Sequence, residues 1–205
     1  MNARILLYPL LKALRPVGLL FRYVAVRSAP RRRMFGFWAY CSDVAPDCSI
    51  FFSHCNAALE LISTHDPRRF SRMRRDVRAV ALTSRGASFY DSWLRVIFID
   101  RDVLKRKPEY LASTLVHEAA HARFFRSGVR SYTRNPGRHE RACVAQEIEF
   151  VQRLPNSHML LEELKQALHR PWWNESGRET EIKRFARRHN LPGWLEQVLF
   201  RLGAR

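Results

Sequence analysis

The stretch LRVIFID (residues 94–100), followed by PEYLASTLVHEAAHARFFR (residues 108–126), decides the fold. The first part carries the β-branched residues Val96, Ile97 and Ile99 and reads as a strand. The second part opens on Pro108, whose fixed φ suits a first helical turn, and stops at Ser127–Gly128. Upstream, Val77 to Leu82 reads as another strand. Ser84–Arg85–Gly86 is turn-like, and Phe89–Tyr90 extends one of the two strands. Before the strands, Ala57, Ala58, Leu61 and Ile62 recur at helical spacing within residues 52–64. Asp66–Pro67 then caps a second helix that ends near Arg75. Downstream, Asn135–Pro136 starts a helix that runs to the neighbourhood of Leu154. Shorter helical pieces follow over 157–169, 178–189 and 193–202. A small β-sheet followed by a motif-bearing helix and further helices is an α+β arrangement.

The chain has 205 residues, 46% of them hydrophobic, which excludes a wholly disordered polymer and supplies a core. Lys and Arg number 36 against 19 Asp and Glu, a formal charge of +17. Such an excess points to a polyanionic neighbour: an anionic membrane surface, nucleic acid or an acidic substrate. The charge is uneven, for residues 1–42 hold no acidic side chain. Within them, Ile5 to Val26 is apolar but interrupted by Lys12, Arg15 and Arg22 and by Pro9 and Pro16. That pattern suits an amphipathic segment, either lying on an anionic membrane face or packing its leucine face on the domain, better than a spanning helix. Composition therefore divides the chain into a basic apolar segment over 1–46, a central domain over 47–170 and a basic helical extension over 171–205. Four cysteines are too few for a disulfide scaffold at this length. A reducing, cytoplasmic setting is expected, peripheral to the membrane through the N-terminal segment. Cys41, Cys48 and Cys55 recur every seven residues and read as core packing, because metal-binding cysteines favour tighter pairs.

The chemistry lies in His117–Glu118–Ala119–Ala120–His121. Two histidines four apart stand one helical turn apart on one face, so their imidazoles can converge on one metal ion. Chance yields such a motif about 0.02 times in a chain of this composition, so it is treated as a signal. Glu118 is too close in sequence to be the natural third ligand. It is well placed to act as general base on a water that the metal acidifies. Catalytic zinc sites take three protein ligands and keep one position open. Glu140, on the next helix with eighteen residues between it and His121, is the chosen third ligand. Glu147, seven residues further along the same face, is its main competitor, with an outer-sphere role as its alternative. His139 is a third option, pointing about 100° away from Glu140 around the helix. Tyr132, Arg138, His139 and His158 are positional candidates for stabilising an oxyanion.

His117–Glu118–x–x–His121 followed by Glu140 resembles the gluzincin group of zinc metallopeptidases. The resemblance covers about residues 77–154 and implies a zincin-like fold for the central domain. It implies a Zn2+ cofactor held by His117, His121 and Glu140, with Glu118 activating water and a peptide or protein as substrate. It also implies that the edge strand of the small sheet aligns the substrate. The chain departs from the aminopeptidase branch, for it has no Gly-x-Met-Glu-Asn sequence and is far shorter, so exopeptidase activity is not implied. The alternative function is a basic nucleic-acid-binding protein with a structural metal, or a protease similar to the SprT-like group. That group uses a third histidine, which His139 would supply. Arg68, Arg69, Arg72, Arg74 and Arg75 would then contact phosphates, although such a run more often forms a solvated helix face.

Overall fold

A computed structural model of the chain describes residues 28–41, 47–83, 87–128 and 136–169. Strand β1 (Arg31–Met34) turns into β2 (Phe37–Cys41), and helices α1 (Asp47–His65) and α2 (Pro67–Asp76) follow. Next come β3 (Ala79–Thr83), β4 (Phe89–Asp91) and β5 (Val96–Asp100). A 3-10 turn at Arg101–Lys105 leads into α3 (Pro108–Arg126), α4 (Pro136–Val151) and α5 (His158–Leu168). The strands lie in the order β1-β2-β3-β5-β4. The inner three run parallel, while β1 and β4 are antiparallel edges. The architecture is α+β, as the sequence predicts.

The two central strands explain themselves. Ala79–Thr83 and Val96–Asp100 are buried at every position, as strands covered on both faces must be. Val80, Leu82, Ile97 and Ile99 join the main core with α1 and α3. The alternate residues Ala79, Ala81, Val96 and Phe98 form a second cluster with Tyr40. Helix α3 carries a wide apolar surface that includes Leu111, Leu115 and Val116, all within the core. It packs on α1, α2 and α4 and also reaches β4 and β5. Its alanines at 119, 120 and 122 are buried and let the neighbouring elements come close. The expected stop holds: Ser127 is the C-cap and Gly128 adopts φ 71°, a left-handed conformation that costs glycine little.

The sheet extends back across the expected boundary at residue 46. Strand β2 pairs with β3 from Trp38 opposite Ala79 to Cys41 opposite Leu82. The Arg31–Arg32–Arg33 run is therefore an edge strand with its guanidiniums exposed. Three consecutive charges conceal the alternation that marks a strand, and an edge strand bears charge readily. The hairpin turns at Phe35 and Gly36, with φ 49° and 88°. Glycine suits that left-handed position, and a Cβ there would stand 2.8 Å from the Arg74 guanidinium, whose flexible side chain could move aside. Phe89–Asp91 is likewise an edge strand of its own rather than an extension of a neighbour.

Two of the three evenly spaced cysteines are not simple packing residues. Cys41 and Cys48 form a disulfide that ties the end of β2 to the first turn of α1, while Cys55 is buried and free. Their Cα atoms stand 5.5 Å apart, within the span a disulfide bridges. Residues 1–27 and 170–205 lie outside the described residues, and with them the apolar N-terminal segment and the helices expected over 178–189 and 193–202. Among the described residues, no helix is long and apolar enough to cross a membrane.

The expected cap of α2 is present. The Asp66 carboxylate accepts from the Arg69 backbone N–H at 3.0 Å, and Pro67 opens the helix. The same carboxylate pairs with the Arg69 guanidinium and with Arg153 at 3.0 Å. Arg69 also reaches Glu149 on α4 at 3.0 Å, so this small network fastens α2 to α4 across the flank of α3.

Candidate metal centre

The site is built along the α3–α4 interface. On α3, Ser113, His117 and His121 stand four apart and share one face. On α4, Glu140, Cys143 and Glu147 recur at three and four residues and share the opposing face. The two stripes meet in antiparallel order. Ser113 and His117 meet Glu147, while His121 meets Cys143 and Glu140.

Three donor atoms face one another at the centre. His117 Nε2 and His121 Nε2 are 3.2 Å apart. The Glu140 Oε2 atom lies 3.3 Å from the first and 3.5 Å from the second. Ligands about 2.05 Å from a tetrahedral ion stand about 3.3 Å from one another, so this triangle has the dimensions of a three-ligand face. The spacing of eighteen residues allows α3 to end, the chain to return and α4 to bring Glu140 back beside the paired imidazoles.

The far nitrogens also have partners. His117 Nδ1 meets Glu147 Oε2 at 3.1 Å, and the other Glu147 oxygen accepts from the Ser113 hydroxyl. His121 Nδ1 meets the sulfur of Cys143 at 3.5 Å. Glu147 thus stands behind a ligand-competent imidazole rather than beside Glu140 at the centre. His139 does not converge either. Its ring stacks on His121 with centroids 5.3 Å apart and meets Phe124 edge-on at 4.6 Å. It is buried, and that burial lowers its pKa.

A second donor set overlaps the first. His117, His121 and Cys143 each place a ligand atom within 4.8 Å of the others and form a group that could hold a metal ion. The two sets compete for His121. The sulfur approaches its Nδ1 edge, whereas Glu140 approaches its Nε2 edge. The set with Glu140 leaves each Nδ1 with an outer partner, which is how metal-binding imidazoles are usually held.

Carboxylates and imidazoles at the centre shift one another's ionisation. Burial alone would depress the His117 pKa, but hydrogen bonds to Glu140 and Glu147 overcome it and raise it to about 10. Burial likewise opposes ionisation of Glu140, but the two histidines hold it at about 2. Glu118, beside the motif face, is 6% exposed, and burial pushes its carboxyl upward while His117 and His121 pull it down. Burial also raises the Cys143 thiol pKa, keeping it protonated in the metal-free protein.

Of the other positional candidates, Arg138 and His158 are exposed and Tyr132 lies outside the described residues. Cys143 stands three residues from Glu140 and four from Glu147 on one helical stripe, a spacing that predicts a thiol packed beside the site, and its sulfur is found there against His121. Comparison with known proteins returns no matching family model, curated protein or solved structure.

Proposed function

We propose that the chain is a zinc-dependent metallopeptidase of gluzincin type, with His117, His121 and Glu140 as ligands and Glu118 as general base. The observation that carries this reading is the 3.2–3.5 Å triangle of two imidazole nitrogens and one carboxylate oxygen, drawn from two separate helices. Two nitrogens and one oxygen suit zinc, and three ligands leave a position for solvent. When bound, zinc supplies Lewis-acid polarisation of a carbonyl and lowers the pKa of water. The remaining steps belong to this chain. Glu118 takes the proton of the attacking water at its carboxylate and returns it to the departing amine. Glu147 keeps the His117 proton on Nδ1, so that Nε2 is free to ligate.

Strand β4 supports a peptide as substrate. It is an antiparallel edge, α3 packs close to it, and its outer side has no partner strand among the described residues. An extended peptide can add to such an edge through main-chain hydrogen bonds. The Cys41–Cys48 disulfide favours an oxidising compartment over the cytoplasmic setting expected from the cysteine count.

Metal analysis of the purified protein, paired with Glu118→Gln, tests the proposal. The expected result is about one zinc per chain. That zinc is lost in His117→Ala and retained in Glu118→Gln, which no longer hydrolyses an unstructured protein such as casein. Protein that neither carries nor takes up a divalent transition metal refutes it.

A further inference from the structure

The two imidazoles at the centre are held in different ways. His117 Nδ1 meets a carboxylate, itself held by a hydroxyl. His121 Nδ1 meets a sulfur at 3.5 Å, a reasonable separation for an N–H···S contact given the size of sulfur. Cys143 is fully buried, so water does not compete for that position. On the face of the ring, His139 stacks with an interplanar angle of 18°, backed by Phe124. His121 is therefore confined at one edge by sulfur and on one face by an aromatic ring.

Resting on the reading of His117, His121 and Glu140 as the ligands, we infer that Cys143 is a positioning residue. Its sulfur accepts the Nδ1–H of His121, which sets the tautomer and ring plane that present Nε2 to the metal, and it does not itself ligate. A metal that takes the Nε2 lone pair leaves the proton on Nδ1, which makes that nitrogen a donor. The sulfur lies on this edge of the ring, away from Glu140 Oε2. One ion cannot use Nε2 alongside Glu140 and Nδ1 alongside the sulfur in the same ring. Charge gives a reason for sulfur here. Glu118, Glu140 and Glu147 already surround the two histidines, and a carboxylate at 143 would add a fourth acid around one cation. A neutral, polarisable acceptor holds the imidazole without that cost.

The test uses the full-length protein stripped of metal and titrated with Co2+ against a competing chelator. Wild type, Cys143→Ala and Cys143→Ser are compared, and the metal-free melting temperature of each is recorded. Cys143→Ala is expected to bind cobalt about 10–100-fold more weakly. Cys143→Ser, which keeps an acceptor, is expected to recover most of that loss, with metal-free melting similar in all three. The wild-type cobalt spectrum is expected to lack a sulfur-to-cobalt charge-transfer band. Equal affinity in wild type and Cys143→Ala overturns the positioning role. A charge-transfer band that disappears in Cys143→Ala overturns it by making Cys143 a ligand. A loss of affinity that serine does not rescue, with an equal loss of metal-free stability, reduces Cys143 to packing. Wild-type protein that binds no cobalt removes the metal reading and this inference with it, a result distinct from binding that ignores residue 143.

Discussion

Metal uptake by this chain should displace a proton, and the count follows from the site. In the metal-free protein His117 lies between Glu140 and Glu147, 3.3 Å from the first and 3.1 Å from the second. Those carboxylates raise its pKa to about 10, so at neutral pH a proton stands where the cation would supply positive charge. Glu140, held at about 2, is already ionised and gives up nothing. An ion that needs the Nε2 lone pair must therefore expel about one proton from His117. Below pH 10 the apparent association constant then rises about tenfold per pH unit, or about 100-fold from pH 7 to pH 9. Calorimetric titration of chelator-stripped protein in buffers of different ionisation enthalpy counts the protons, and chelator competition across the same pH range measures the slope. A proton count near zero together with a flat affinity would refute the argument, because His117 would then be neutral before the metal arrives. The same shift governs stability. The folded pKa of His117 is raised from 6.5, so its contribution is complete below pH 6.5 and is lost as the pH climbs through about 10. For Glu140, lowered from 4.5, the contribution is present above pH 4.5 and is lost as the pH falls through about 2. Metal-free protein should accordingly melt at lower temperature at pH 10 than at pH 7.

Three further outcomes are expected. Glu118→Gln should keep its metal but lose about 10²–10⁴-fold in hydrolytic rate, measured on a labelled unstructured protein; loss of metal instead would make Glu118 a ligand. Glu147→Gln should weaken metal binding by about 10–100-fold in chelator competition, whereas unchanged binding would mean that the His117–Glu147 contact does not orient the ring. Asp66→Ala removes a buried cap and leaves Arg69 short of its partner, so urea unfolding should show a loss of about 3–5 kcal/mol. A loss of only about 1 kcal/mol would assign Asp66 to capping alone.

Local features were readable because they depend on neighbours in the chain. Asp66–Pro67 caps α2, Ser127–Gly128 ends α3, and the apolar runs at 79–83 and 96–100 are strands, each for reasons that act within a few residues. The pairing of His117 with His121 is equally local, since helical geometry alone puts residues four apart on one face. Partners from elsewhere in the chain were another matter. Periodicity showed that Glu140 and Glu147 share a face of α4, but both carboxylates satisfied that rule. Only the depth at which α4 crosses α3 sets Glu140 opposite the Nε2 atoms and Glu147 behind His117. The same crossing brings Cys143 to His121 and turns His139 into a stacked neighbour. Strand β1 was hidden for a related reason, since a charged edge strand is defined by the strand it pairs with rather than by its own pattern. Short-range sterics and hydrogen bonding make helices and turns legible along the chain, whereas contacts between distant segments exist only once the packed core fixes how those segments cross.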